Sequence, residues 1–230
     1  MSNILNLINY NYCAVKRSMF IAIGLFGAMW AITLTTSFQF IALLPAACTA
    51  MVFESVFLNE NKNNARKVIG ILPVKRYQYV LSRYILLTAA TFEFAAISFA
   101  VIKISDHITL FPLAKTLRIT PSKIAVSFIG IALGLGLLIG PMHFFCHFAF
   151  SEDKANLAIV AFLIILALIA IAVMYFVCGD MNSVSDMLNK LPVKMADSPY
   201  KFAFTAGAFG LISDILFCWL SIIAVNRKEI

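Results

Sequence analysis

Charge is scarce in this sequence. Only 13% of its residues are Asp, Glu, Lys or Arg, against about 25% in soluble domains, and they gather in short stretches instead of covering helix faces. An ordinary soluble domain, whose surface helices need a polar face, is thereby excluded. The five cysteines (Cys13, Cys48, Cys146, Cys178 and Cys218) are odd in number and scattered, mostly inside apolar runs. Neither a disulfide framework nor a metal cluster with paired spacing is expected from them. No G-x-x-x-x-G-K-[ST] run occurs, which removes one common means of cradling ATP phosphates. No small-residue cleavage site follows the apolar run after Lys16-Arg17, so that segment is expected to remain as an anchor. Internal repeats and low-complexity tracts are missing too, and the connections 58–78, 103–123 and 179–201 are too short to fold as substrate-binding domains.

What is present is apolar. Hydrophobic residues make up 62% of the chain. A helix crossing about 30 Å of hydrocarbon needs roughly 20 predominantly apolar residues, and six runs meet that length, near 19–36, 38–57, 79–102, 124–147, 156–178 and 202–225. Ahead of them, Ile4, Leu5, Leu7 and Ile8 alternate with Asn3, Asn6 and Asn9, the pattern of an interfacial amphipathic helix over 1–18. The expected fold is an all-α integral membrane protein with one transmembrane domain over 1–230.

The net charge of +7 does not point to nucleic acid, because no basic arm or aromatic-basic platform accompanies it. The cations lie between apolar runs and read as topology signals and contacts to membrane lipid. With the N-terminus inside, eleven Lys and Arg fall on the cytoplasmic side and seven outside. Lys16-Arg17 and the 58–78 loop flank two spans whose joining turn, Thr35-Thr36-Ser37, carries no cation. Both termini are therefore expected in the cytoplasm, with the cationic loop 103–123 as the dissenting feature.

The connection from Leu58 to Tyr77 is polar and helix-permissive at first, then apolar around Ile69–Leu72, then broken by Pro73 ahead of Lys75-Arg76. A short cytoplasmic helix with an apolar tip is suited to another protein's groove. An ordinary positively charged loop is the competing reading.

Phe53-Glu54, the segment Asn59 to Lys67, then Leu72-Pro73-Val74-Lys75-Arg76 and Tyr79 to Tyr84 resemble the signature of type-2 ABC transporter permeases. In that family an acidic-basic segment leads to an L-P-x-x-R element and a basic residue opens the third span. Gly140-Pro141 through Phe148, with Ser151 to Asn156, and the tail Ser221 to Glu229 are similar to the family's fourth-span exit and last-span end. Asn61 and Lys62 stand where the family more often shows an Asp-Glu-Lys run. The resemblance implies a permease coupled through Asn61, Lys62, Arg66, Lys67, Ile71, Leu72, Pro73, Lys75 and Arg76 to two copies of a separate ABC ATPase. It implies a second permease copy, identical or a sister chain, no catalysis by this chain, and no cofactor in it, ATP and Mg being held by the partner.

Ionisable groups inside a membrane cost about 2.5–3.5 kcal/mol or more, so each asks for a reason. Glu54 is placed to pair with Arg83, while Glu93 and, more weakly, Asp214 are candidates for a polar path. Gly130, Gly134, Gly136 and Gly140 form overlapping G-x-x-x-G spacings that allow close helix approach, either for packing within the chain or for a moving, path-lining helix. His143 and His147 share one helix face beside Cys146, which keeps open a membrane redox or metal-binding subunit. Yet H-F-F-C-H lacks the Glu of H-E-x-x-H, and interfacial histidines are the simpler reading, so no metal site is expected. A non-transporting scaffold is the other alternative. The leading expectation is an exporter of an amphipathic or antimicrobial peptide in a bacterial cytoplasmic membrane.

Overall fold

The computed structural model describes residues 2–36, 41–42, 44–45, 75–107, 122–178 and 197–227. Five long helices account for nearly all of them: α1 (Ser2–Thr36), α2 (Arg76–His107), α3 (Ser122–Ala149), α4 (Glu152–Cys178) and α5 (Pro199–Arg227). No strand occurs among the described residues. Among the described residues, four helices hold stretches long and apolar enough to cross a membrane: Arg76–Ser105, Val126–Ala149, Lys154–Ala172 and Pro199–Arg227. The apolar part of α1, Met19–Thr35, is shorter.

The helix starts follow local chemistry. Gln78 Oε1 accepts the Lys75 backbone N–H at 3.2 Å, and the Lys75 carbonyl accepts the N–H of Gln78 at 2.9 Å, half of a capping box at the head of α2. Ser151 and Ser198 precede α4 and α5, and their carbonyls accept the N–H groups of Ala155 (2.8 Å) and Phe202 (3.2 Å). Pro199 then takes the first helical position of α5, where its missing N–H costs nothing.

Contacts between helices fix their directions. Asn11 meets Ser82 and Trp30 meets Ser98, so α1 and α2 run parallel. Tyr79 and Tyr84 pack on Phe148 and Phe144, making α3 antiparallel to α2, and Phe145 on Phe162 turns α4 back along α3. Ser127 and Gly130 of α3 meet Pro199 and Ala203 of α5, so those two run together. The end of α1 at Thr36 and the start of α2 at Arg76 consequently lie at opposite ends of their shared seam.

The interfacial segment expected over 1–18 is the first half of the continuous helix α1, roughly 50 Å long at 1.5 Å per residue. Lys16-Arg17 does not interrupt it, since neither residue breaks a helix. Leu7, Asn11 and Val15 are buried, against a seam that includes Val80 and Ser82. The second span (38–57) and the coupling helix lie largely outside the described residues.

The core holds an α1–α2 cluster around Phe26, Trp30 and Phe94, which reaches Ile129 and Ala132 of α3. A second gathers Val15, Val80, Leu87, Phe144 and Phe148. α4 adds only a strip, Ala155 and Ile159 on Met142 and Cys146, and most of its side chains are exposed on the chain's surface. Apolar side chains directed outward all round suit lipid contact.

Candidate functional site

Where α2, α3 and α5 meet, a polar seam runs between otherwise apolar helices. Close approach comes first. A methyl group built on Gly130 would overlap the Cα of Ala203, and one on Gly134 would come 2.6 Å from the Ala206 carbonyl oxygen. Only glycine lets α3 and α5 touch backbone to backbone in this way. Gly136 and Gly140 are also buried on α3.

Pro141 follows directly, inside α3, and its missing N–H leaves the Leu137 carbonyl without its usual helical donor. The Tyr84 hydroxyl of α2 reaches this point. It lies 3.0 Å from the Pro141 carbonyl, 3.2 Å from the Phe217 carbonyl and 2.7 Å from Ser221 Oγ. One phenol thus touches α3 and α5 together, and its ring meets Phe144 edge-on at 5.6 Å.

One turn along α2, Thr88 Oγ1 lies 2.7 Å from Asp214 Oδ2 of α5. Asp214 is buried, and its Oδ1 has no partner among the described residues. At the other end of the seam, Arg76 Nη1 approaches the Val225 carbonyl at 3.5 Å, joining the start of α2 to the end of α5.

Other expected residues are placed apart from this seam. Arg83 is buried with its guanidinium over the Tyr79 ring at 4.7 Å; Glu54, its expected partner, lies outside the described residues. Glu93 is on the exposed face of α2, so Arg83, Glu93 and Asp214 do not form one cluster. Cys146 and His147 are buried and His143 is half-buried. Among the described residues no three His, Cys, Asp or Glu side chains converge as a metal ion would need. Of the coupling residues, Lys75 and Arg76 are exposed at the head of α2, while Asn61, Lys62, Arg66, Lys67, Ile71, Leu72 and Pro73 lie outside the described residues.

A family model described as ABC-2 family transporter protein matches residues 6–226, nearly the whole helical bundle and all of the seam. The chain belongs to the ABC-2 transporter family. No curated protein matches it, and no solved structure matches it.

In this ABC-2 transporter chain, Gly130, Gly134 and Asp214, which the sequence singles out, lie in the seam, whereas Tyr84, Thr88, Ser221 and Asn11 are given no polar role by the sequence alone. A signal for the buried polar face of α2 was present. Tyr84, Thr91, Ser98 and Ser105 recur every seven residues along α2, and all four are buried, as polar side chains facing helix neighbours in a membrane are.

Proposed function

We propose that this ABC-2 family chain is the permease of an ATP-driven exporter in a bacterial cytoplasmic membrane. It crosses six times with both termini inside and works as a pair, with an identical or sister permease and two ATPase subunits. The family match over residues 6–226 carries the reading. The six-span count is supported by helix direction: α1 and α2 run parallel, so Thr36 and Arg76 lie at opposite ends of the bundle.

In this reading the 58–78 elbow docks on the ATPase and delivers motion at Arg76. The seam then distributes it, because Arg76, Tyr84 and Thr88 tie α2 to the last helix, and Tyr84 ties it to α3 at Pro141. Helices joined at several points move as a body. Glu93, on the exposed face of α2, lines a path shared with the second permease copy, since a carboxylate facing lipid would cost several kcal/mol, about 2.5 or more at mid-span. A carboxylate there suits a basic amphipathic or antimicrobial peptide as cargo.

The test is co-purification with candidate ABC ATPases from the same cell, followed by ATP-driven flux of a cationic amphipathic peptide in vesicles. Retained complex and flux after replacing Leu72, Pro73 and Arg76 together would remove the elbow from the mechanism. A complex that hydrolyses ATP but moves no peptide would remove the cargo assignment.

A further inference from the structure

Thr88 sits between two oxygens. Its Oγ1 is 2.8 Å from the Tyr84 carbonyl oxygen and 2.7 Å from Asp214 Oδ2. A threonine hydroxyl carries a single hydrogen. A carbonyl accepts only, and so does an ionised carboxylate. With Asp214 ionised, the one Thr88 hydrogen would have to be shared between two acceptors, which weakens both contacts.

A hydrogen on Asp214 satisfies both. Oδ2–H then donates to Thr88, and the Thr88 hydroxyl donates onward to the Tyr84 carbonyl. The result is a directed chain of two bonds that joins α5 to α2.

The other carboxyl oxygen gives an independent reason. Oδ1 is buried and has no hydrogen-bond partner among the described residues, and Asp214 as a whole is 7% exposed. Ionised, the group would hold a shared negative charge with one oxygen unsolvated, the arrangement most costly in a low-dielectric interior. In the neutral acid Oδ1 is a carbonyl oxygen, whose burial costs far less. Among the described residues no Lys, Arg or His pairs with the carboxyl. The titratable groups around it are Tyr84 from α2, Cys146 from α3 beside Tyr84, and Cys218 from its own helix, none of which can supply a positive charge.

We infer that Asp214 is a proton-binding site inside the helix bundle, holding on Oδ2 at neutral pH a hydrogen that it donates to Thr88. The proton comes from water and returns to water if the site opens, and no other bond changes. The inference concerns the bundle itself and stands apart from the cargo and the ATPase.

Infrared spectroscopy of the purified full chain in lipid nanodiscs at pH 7 tests it. A protonated acid shows a carbonyl stretch separate from the carboxylate bands, and that stretch moves in heavy water. The wild-type chain shows this band and Asp214→Asn lacks it. Thr88→Val, which removes the acceptor but keeps the shape, moves the band to higher frequency. Identical spectra of wild type and Asp214→Asn in this region would overturn the proposal. Should Asp214→Asn fail to fold, Thr88→Val decides alone: a shifted acid band supports the site, and an absent or unmoved one overturns it.

Discussion

Gly134 of α3 and Gly210 of α5 lie backbone against backbone: a Cβ on Gly210 would stand 2.9 Å from the Gly134 Cα and 3.0 Å from its carbonyl oxygen. Backbone atoms cannot step aside as a flexible side chain can, so Gly210→Ala and Gly130→Ala are expected to force the helices apart. Overpacking of this kind costs about 1–3 kcal/mol. Gly207→Ala is the contrast, because its Cβ would meet only Leu133 Cδ2 at 3.4 Å, and its effect is expected within about 0.5 kcal/mol. Thermal unfolding of the purified variants ranks them. A Gly207→Ala loss as large as that of Gly210→Ala would contradict the packing described.

Tyr84→Phe keeps the ring on Phe144 and deletes the hydroxyl that meets the Pro141 carbonyl and Ser221. Polar contacts between membrane helices average about 0.6 kcal/mol and reach about 1.7. The upper part of that range is expected here, because one oxygen serves three helices. Ser221→Ala is expected to cost less, since Tyr84 still has the Pro141 carbonyl. The pair should be non-additive in a double-mutant cycle. Additivity within about 0.3–0.5 kcal/mol would mean that the two hydroxyls do not interact.

Asn11 and Ser82 give an asymmetric prediction. Asn11 Nδ2 donates to Ser82 Oγ at 2.8 Å, Ser82 Oγ donates to the Tyr79 carbonyl at 2.8 Å, and Asn11 Oδ1 is buried without a partner among the described residues. Ser82→Ala strands the remaining polar end of Asn11 and is expected to cost about 1–3 kcal/mol. Asn11→Leu removes the stranded oxygen and leaves Ser82 satisfied by Tyr79, so it is expected to be near neutral. Unfolding curves in detergent that reverse this order would refute the account of the α1–α2 seam.

The sequence made some of this visible and hid the rest for physical reasons. Six runs are countable because a membrane demands long apolar stretches, and four of them fall on the described helices α2 to α5; Gly130 and Gly134 are legible because their four-residue spacing places them on one face. Asp214 stood out by its cost. The continuity of α1 is hidden, since Lys16-Arg17 has the look of a boundary while a charge does not terminate a helix. Tyr84, Thr88 and Ser221 were hidden because their roles depend on the register between helices far apart in the chain. Glu93 shows the limit from the other side: spacing placed it mid-span, but only packing shows that it faces away from the seam.

Arg76 offers the sharpest test of the proposed coupling, because it is exposed at the head of α2 and also touches the end of α5. The contact to the Val225 carbonyl at 3.5 Å is long for a hydrogen bond and the side chain is exposed, so Arg76→Ala is expected to change stability by no more than about 0.5 kcal/mol. If the elbow transmits force at this residue, the same variant should lower ATP-driven flux about tenfold, the equivalent of about 1.4 kcal/mol. Arg76→Lys should recover part of the flux, as a cation without the planar guanidinium fork. Flux and ATP hydrolysis measured together in vesicles separate the cases. Hydrolysis that continues while flux falls marks lost coupling, whereas equal loss of both marks failed docking. Unchanged flux in Arg76→Ala would place the transmission point elsewhere.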